Sequence, residues 1–465
     1  MSRTIIDNAA VATMDAGRTE YASGHLVLDG SRVERVGPGP APRERDASYV
    51  DATGCLVTPG LVNTHHHLYQ WLTRGLAVDA TLFEWLTTLY PVWAGLDEEA
   101  VGAAARGALG WLARTGCTTT TDHHYVFPRR GGDSGGGGVD RVGDLLAAEV
   151  DAAGQVGLRF HPCRGSMDLG KSSGGLPPDE VTEDRDRVLA ATQEAIDRHH
   201  DPSPDAMLRI AVGPCSPFTV SGELMAESAD LARRNGVRMH THLAETTDEE
   251  SFCRAQFGST PAEYAERLGW LGDDVWLAHA VHLDDAAVQR VAGTGTGVAH
   301  SPSSNARLGA GIARVQELRD AGATVGLGVD GAASNEACSL LEEVRHAVLF
   351  ARARGGPRAL AVRDALEMAT IGGARLLGRD SELGSLEPGK LADIAVWRLD
   401  TPAHADIADP VAALVLGAPP PLDLLLVHGR RIVEGDALVT LDEQHLARDV
   451  AAARRALLAR AEGTR

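Results

Sequence analysis

Four short segments carry side chains that could together hold a cation and hydrolyse a bond. They are His65-His66-His67, His242-Leu243-Ala244-Glu245, Leu277-Ala278-His279 and Gly328-Val329-Asp330. Each lies at the end of a short apolar run that predicts a β-strand, and alternate residues of a strand share one face. His65 and His67 can therefore bind one metal ion from the same face, and His242 and Asp330 from later strands can complete its ligands.

Three groups could move protons beside such an ion. Glu245 follows His242 by three residues, where a carboxyl group that is not a ligand could exchange protons with a reacting molecule. We assign His279 to proton transfer or to the stabilisation of developing negative charge. Asp330, besides binding the metal, would accept a proton from the attacking water. The segments therefore predict metal-assisted hydrolysis.

Neighbouring histidines leave alternatives. His240 shares a strand face with His242, which we prefer because a glutamate follows it at the useful spacing. His282 is a weaker candidate than His279 for proton transfer. His66 could add a further ligand, although strand alternation turns it to the opposite face.

The candidate residues end strands of a repeating β-then-α pattern. Helical stretches separate eight candidate strands, which are Leu56–His65, Cys117–His123, Leu158–Cys163, Leu208–Pro214, Val237–His242, Val275–His279, Gly297–His300 and Thr324–Asp330. Eight such units predict a (β/α)₈ barrel, whose active site lies at the carboxyl ends of its strands. The candidate ligands fall at those ends.

Short β-like runs at both ends of the chain predict a second, smaller domain, a composite β-sandwich built from the N- and C-terminal segments. We predict that residues 1–58 and 381–440 form the two parts of this sandwich. Residues 59–380 are predicted to form the barrel, and residues 441–465 a C-terminal helix. The glycine-rich loop Gly131–Gly138 follows the second barrel strand and is either a lid or a tolerated insertion.

Composition excludes several classes of protein. The 465 residues are 44% hydrophobic and carry a net charge of −20, without a block of basic residues, so nucleic-acid binding is not expected. No run of 18 uncharged apolar residues predicts a membrane span. The six scattered cysteines predict free thiols in a reducing compartment. We expect a cytoplasmic protein that forms homo-oligomers.

Two longer strings resemble the amidohydrolase superfamily, specifically its mononuclear branch of deaminases. They are Pro59-Gly60-Leu61-Val62-Asn63-Thr64-His65 and Gly384-Ser385-Leu386-Glu387-Pro388-Gly389-Lys390-Leu391-Ala392-Asp393. The resemblance covers nearly the whole chain and implies hydrolytic deamination. It also implies that His65, His67, His242 and Asp330 are metal ligands. Glu245 and His279 are implied to be catalytic.

Lysine usage predicts how many metal ions bind. Binuclear barrel hydrolases of this type often bridge two ions with a carboxylated lysine on the fourth strand. The chain has only Lys171 and Lys390, and neither lies on a predicted barrel strand. We therefore predict one divalent ion, with Zn²⁺ preferred and Fe²⁺ as the alternative. A metal-free binding or scaffolding relative is disfavoured because no ligand is missing.

Shorter motifs are similar to those of the 8-oxoguanine deaminases and hydroxydechloroatrazine ethylaminohydrolases of this superfamily. They include His65–Arg74, Leu82–Leu86, Thr121–Tyr125, Arg164–Met167, Gly174–Asp179 and Ser303–Asn305. They imply a small heterocyclic substrate, first of all 8-oxoguanine, which would give urate and ammonia. Loss of an amine, alkylamine or halide from an s-triazine is the alternative, as is deamination of guanine, isoguanine, cytosine or an adenosine derivative. His300 and Ala306 stand where a cysteine and a methionine are expected, so these alternatives stay open.

Three polar side chains are predicted to recognise the substrate. Gln70 can donate to and accept from the edge of a planar base, Arg164 can bind a carbonyl oxygen, and Glu84 can accept from an N–H group. The aromatic residues after Glu84 are predicted to belong mainly to the core. One of the adjacent residues His123 and His124 is expected to face the pocket or to make a structural hydrogen bond.

Overall fold

Alternating strands and helices dominate the computed structural model, which describes residues 3–128 and 144–463. The strands are β1 Arg3–Ala12, β2 Glu20–Asp29, β3 Arg32–Pro38, β4 Ala47–Asp51, β5 Cys55–Pro59, β6 Leu61–Asn63, β7 His66–His67, β8 Cys117–His124, β9 Arg159–Ser166, β10 Ala211–Pro214, β11 Met239–Leu243, β12 Val275–His279, β13 Gly297–His300, β14 Val325–Leu327, β15 Asp330–Gly331, β16 Ile394–Arg398, β17 Leu422–Val427, β18 Arg430–Glu434 and β19 Ala437–Leu438. The α-helices are α1 Leu82–Trp93, α2 Glu98–Arg114, α3 Leu145–Val156, α4 Arg185–His199, α5 Gly222–Asn235, α6 Thr247–Phe257, α7 Pro261–Arg267, α8 Asp285–Gly293, α9 Pro302–Arg307, α10 Val315–Asp320, α11 Leu340–Gly355, α12 Val362–Glu367, α13 Gly373–Leu376, α14 Pro410–Leu416 and α15 Glu443–Gly463. The helical turns are Leu68–Thr73, Lys171–Ser173, Asp179–Val181 and Met368–Gly372. The predicted loop Gly131–Gly138 lies outside the described residues.

Within those residues, eight parallel strands close into a barrel in the order β6-β8-β9-β10-β11-β12-β13-β14, and β14 pairs with β6. Barrel strands are buried on both faces, and β-branched residues suit them, as in the four threonines of β8. Side-chain caps begin the intervening helices, as Ser221 does for α5 and Asp284 for α8. The predicted (β/α)₈ barrel is confirmed.

The first predicted strand is divided between two sheets. Residues predicted as one strand form β5, which joins the terminal sheet, and β6, which joins the barrel. Gly60 separates them, and a Cβ atom there would lie 2.1 Å from Cγ2 of Thr118. The Gly60 amide donates to Asp393 O at 2.9 Å. Close approach of the two sheets therefore requires glycine at this break, which an apolar run does not reveal.

Both ends of the chain contribute to one further sheet. Nine described strands, β1–β5 and β16–β19, form it, with β5 pairing both β1 and β16. A buried ion pair ties it to the barrel, since Arg159 Nε and Nη2 each donate to the Asp393 carboxylate at 3.1 Å. The predicted second β domain built from both termini is confirmed, while the predicted domain boundaries stay a prediction.

All six cysteines lie in the described ranges, and all are buried free thiols, as predicted. Among the described helices, none combines the length and apolar character needed to cross a membrane.

Candidate active site

The sequence-predicted metal ligands meet at the carboxyl ends of the barrel strands. His65 Nε2 lies 3.2 Å from Asp330 Oδ1. His67 Nε2 lies 3.3 Å from the same oxygen and 3.1 Å from His242 Nε2. Each of these four residues is at most 9% exposed. The fold therefore brings together three imidazole nitrogens and one carboxylate oxygen from three separate parts of the chain.

Hydrogen bonds on the far side of two rings fix which nitrogen carries the proton. His67 Nδ1 lies 2.8 Å from His123 O, and His242 Nδ1 lies 2.7 Å from Cys215 O. A carbonyl oxygen only accepts, so each Nδ1 must donate. Burial lowers the pKa of His242, and the neighbouring His65 and His67 rings lower it further, which keeps His242 neutral. With both rings neutral, the two facing Nε2 atoms both present lone pairs and cannot hydrogen bond to each other.

His65 reaches the same state through His240. His240 Nδ1 donates to Trp276 O at 2.8 Å, and burial lowers the pKa of His240, so its Nε2 is an acceptor. His65 Nδ1 donates to that atom at 2.8 Å, which leaves a lone pair on His65 Nε2. Three lone pairs and the Asp330 carboxylate thus converge in buried space, where they repel one another unless a cation lies among them. The donor set fits a divalent metal such as Zn²⁺.

The predicted proton-transfer groups lie beside this cluster. His279 Nε2 is 3.6 Å from Glu245 Oε2 and 3.8 Å from Asp330 Oδ2, while its Nδ1 donates to Asn305 Oδ1 at 2.9 Å. Burial raises the pKa of Glu245 to about 7; the Asp330 charge also raises it, and His279 opposes the shift. Burial lowers the pKa of His279, but the charges of Glu245 and Asp330 outweigh burial and raise it. Glu245 can therefore carry a proton near neutral pH.

The backbone is strained where the strands end. Ala244, His279, Ala280 and Asp330 have φ angles of 54°, 71°, 48° and 61°, a region that non-glycine residues rarely adopt. Each such residue costs about 1–3 kcal/mol, and the surrounding structure must hold it in place. These residues lie at or just after the ends of β11 and β12 and at the start of β15, at the site itself. The turns that carry or adjoin the predicted catalytic residues are thus among the strained segments of the described backbone.

A cavity lies over the metal-ligand cluster. Its walls are largely apolar, and its lining includes Leu82, Trp85, Leu86, Tyr90, Phe218 and Leu308. Its polar surface includes Gln70, Glu245, His279 and Asp330. Gln70 is 1% exposed, and its Oε1 has no hydrogen-bond partner among the described residues. This slot suits a flat heterocycle whose edge meets Gln70 and whose reacting carbon meets the cluster.

The structure places Glu84, predicted to bind substrate, outside the cavity lining. Its side chain is exposed, and its carboxylate accepts from the Thr81 amide at 3.0 Å and the Thr81 hydroxyl at 2.9 Å. Together with Thr81 it forms a capping box at the start of α1. The sequence Thr81-x-x-Glu84 was therefore a helix-start signal.

Arg164, also predicted to bind substrate, has other partners in the structure. Arg164 Nη1 and Nη2 pair with the Glu183 carboxylate at 2.8 and 2.9 Å, and the guanidinium stacks on Phe127. Arg164 is not part of the cavity lining. A buried arginine needs a carboxylate partner, and Glu183 satisfies it 19 residues away in the sequence.

Alanine variants at Gln70 and Glu84 should separate these two roles. We expect Gln70→Ala to raise KM about tenfold, because the unpartnered amide would lose a hydrogen bond to the substrate. Glu84→Ala should leave KM within about twofold and lower the melting temperature, since it removes only a helix cap. Steady-state kinetics and thermal melts check both. A raised KM for Glu84→Ala at unchanged kcat would contradict the structural assignment.

The alternative histidines have other partners. His66 Nδ1 lies 2.7 Å from the Asp330 carbonyl oxygen, away from the ligand cluster, and His282 Nε2 contacts Ala310 O at 2.8 Å. His123 Nε2 donates to Gly213 O, and His124 pairs with a buried glutamate, so both make structural hydrogen bonds and neither lines the cavity.

Sequence reasoning missed several supporting residues. Asn305 fixes the His279 ring, Ser304 Oγ donates to Asp330 Oδ2 at 2.6 Å, and His240 sets the tautomer of His65. The string Ser303-Ser304-Asn305 was a motif signal without a role. Trp85 and Tyr90, predicted mainly as core, also line the cavity.

Residues 56–432 match the amidohydrolase family. The chain is 45% identical to 8-oxoguanine deaminase from Pseudomonas aeruginosa over 94% of this chain and 95% of that protein. It is 37% identical to hydroxydechloroatrazine ethylaminohydrolase from Pseudomonas sp. strain ADP, over 91% and 89%. A crystal structure of atrazine chlorohydrolase from Arthrobacter aurescens TC1 complexed with zinc has a TM-score of 0.90 and 34% identity, covering 97% of this chain and all of that one.

These matches extend over both the barrel and the terminal sheet, and they confirm the resemblance predicted from the sequence motifs. The chain belongs to the amidohydrolase family of hydrolases.

Proposed function

We propose that this protein is a metal-dependent hydrolytic deaminase of a purine-type base and that it converts 8-oxoguanine to urate and ammonia. The observation that carries the proposal is the convergence of three imidazole lone pairs and Asp330 beneath an apolar slot, beside a glutamate that can hold a proton. The choice of base is supported by the relative named 8-oxoguanine deaminase, which matches nearly the whole chain.

One divalent ion is proposed, with Zn²⁺ preferred over Fe²⁺. His65, His67, His242 and Asp330 would hold it, and when bound it would lower the pKa of a water molecule towards neutrality. The chain has two lysines, and neither lies on a barrel strand, so no carboxylated lysine is available there to bridge a second ion.

The proposed reaction replaces an exocyclic amine with oxygen from water. Asp330 accepts a proton from the attacking water, and Glu245 donates a proton to the ring nitrogen next to the attacked carbon. His279, oriented by Asn305, stabilises the negative charge that develops on the attacking oxygen. Asp330 passes its proton to the amine, the C–N bond breaks and ammonia leaves, while the new hydroxyl group returns a proton to Glu245 and becomes the carbonyl. The apolar walls hold the ring flat against these groups.

The pH dependence should report on Glu245. Its carboxyl group must be protonated to act as an acid, and burial raises its pKa to about 7. We therefore expect kcat/KM to fall as pH rises through about 7, because the donor loses its proton there. A pH profile of ammonia release checks this. An alkaline limb that persists unchanged in Glu245→Gln would show that another group titrates.

Ammonia release by metal-replete protein tests the proposed substrate. The panel comprises 8-oxoguanine, guanine, isoguanine, cytosine and aminated triazines, compared by kcat/KM. The highest value with 8-oxoguanine supports the proposal. Triazines are the second candidate substrates because a structural relative is a zinc-containing atrazine chlorohydrolase. Preference for a triazine would change the proposed substrate and leave the proposed hydrolytic reaction in place. Release from none of them would reject the deaminase. Cytoplasmic location and homo-oligomeric assembly stay predictions.

A further inference from the structure

We infer that Arg454 on helix α15 is a positioning residue for the substrate-binding wall of the cavity. The inference rests on the proposed function only in that the cavity is taken to bind the base. Arg454 lies far along the chain from every predicted site residue. Its hydrogen bonds are made to main-chain carbonyl groups and not to the metal-ligating side chains. Its contacts instead reach the segment that carries Gln70.

That segment is the Gln70 turn, defined as residues Leu68–Thr73, which follows the metal-ligating strand directly. All of its residues are buried. Arg454 Nη1 donates to Leu72 O at 2.7 Å and to Arg74 O at 3.1 Å. Carbonyl groups at the end of a helical turn lack partners within it, and a cation there is favourable. Arg454 therefore closes the end of the turn that aims Gln70 into the cavity.

A second arginine of α15 holds the other part of the same wall. Arg460 Nε donates to Gly95 O at 2.9 Å, just after the end of α1. Helix α1 supplies Trp85, Leu86 and Tyr90 to the cavity lining. Between the two arginines, Leu457 is fully buried. Helix α15 thus contacts main-chain carbonyls next to both segments that form this wall.

The Gln70 turn, helix α2 and helix α15 are closely packed against one another. At Gly107 of α2, a Cβ atom would lie 2.6 Å from Trp71 Nε1 in the Gln70 turn and 2.8 Å from Val450 Cγ2 of α15. The turn, α2 and α15 therefore meet at close range, and a shift of α15 is passed to the turn. The metal ligands are held differently, because carbonyl groups of barrel residues such as His123 and Cys215 orient their rings. Losing the Arg454 contacts should therefore impair substrate binding more than chemistry.

Kinetics of Arg454→Ala, Arg454→Lys and Arg455→Ala test the inference. Arg455 is the adjacent, exposed arginine and serves as the matched control. We expect Arg454→Ala to raise KM for 8-oxoguanine about tenfold, with kcat within about twofold and zinc content unchanged. Arg454→Lys, which can still donate to carbonyls, should recover part of the loss, and Arg455→Ala should match the wild type. Backbone amides of residues 68–76 should exchange hydrogen faster in Arg454→Ala.

Three outcomes would overturn the inference: an unchanged KM in Arg454→Ala, an equal effect of Arg455→Ala, or a joint fall of kcat and zinc content. If Arg454→Ala does not fold, Arg460→Ala gives the same comparison at the α1 end of the wall. If wild-type protein deaminates none of the bases, the proposed function fails, and hydrogen exchange alone decides on the positioning role. Unchanged exchange at residues 68–76 would then reject it.

Discussion

Replacing Glu245 with glutamine is expected to lower kcat at least about a hundredfold while the metal content stays at the wild-type level. Glutamine has nearly the same size and polarity, so the cavity keeps its shape, but it cannot release a proton to the ring nitrogen. Glu245 does not belong to the converging ligand atoms, and its Oε2 lies 3.6 Å from His279 Nε2. The loss should therefore appear in turnover and not in metal binding.

The matched control is Glu250→Gln. Glu250 lies five residues further along, on α6, and pairs with Arg254 on the same helix, outside the cavity lining. Its replacement should leave kcat unchanged. Metal analysis of both variants and initial rates of ammonia release provide the comparison. Near-normal turnover by Glu245→Gln with metal bound would remove this residue from the mechanism.

Asp330→Asn is expected to reduce activity on the order of a thousandfold or more and to weaken metal retention. Asparagine retains the side-chain shape but removes the negative charge that balances a divalent cation among three neutral imidazoles. It also removes the acceptor for the proton of the attacking water. Two effects are thus combined at one residue, which makes this the largest loss expected from a single isosteric change.

Excess zinc separates the two effects of Asp330→Asn. If added zinc restores occupancy but not turnover, the carboxylate is needed for the proton as well as for the ion. Circular dichroism should show a native fold, because Ser304 and the Gly331 amide, which donate to the carboxylate at 2.6 and 2.7 Å, can still contact the amide oxygen. A variant that keeps its metal and more than a tenth of its activity would contradict the assigned role.

Periodic features of the sequence predicted the barrel well. The repeated strand-then-helix pattern gave eight strands, and Val275–His279 and Gly297–His300 have the predicted bounds. Alternation along a strand predicted that His66 turns away from His65 and His67, and His66 does contact the Asp330 carbonyl group, although the strand is interrupted between Asn63 and His66. The terminal β domain was recognisable from β-like runs at both ends.

Long-range partners set the limit of prediction. Glu84 and Arg164 were polar residues near the right strands, but one caps a helix and the other pairs with Glu183. Neither contact follows from sequence spacing alone. Spacing does not show, for example, which of many carboxylates the folded chain brings next to a buried arginine. The same applies to Gly60, where the approach of two sheets breaks an apolar run.

The geometry of the candidate active site depends on backbone angles and proton positions, which cannot be predicted from residue types. The positive φ angles of His279 and Asp330 are imposed by the surrounding fold and not by their own preference. The proton positions follow from contacts such as that between His240 and Trp276 O, on neighbouring strands. Sequence could therefore name the candidate ligands, and only the structure shows why their lone pairs converge.

Removal and stoichiometric return of the metal tests the central claim most directly. Protein stripped with a chelator should release no ammonia from 8-oxoguanine, and one equivalent of Zn²⁺ per chain should restore full activity. The titration should break at one equivalent and should be abolished in His242→Ala. Turnover that survives complete stripping, or activity that rises until two equivalents are bound, would contradict a single cation held by three imidazoles and Asp330.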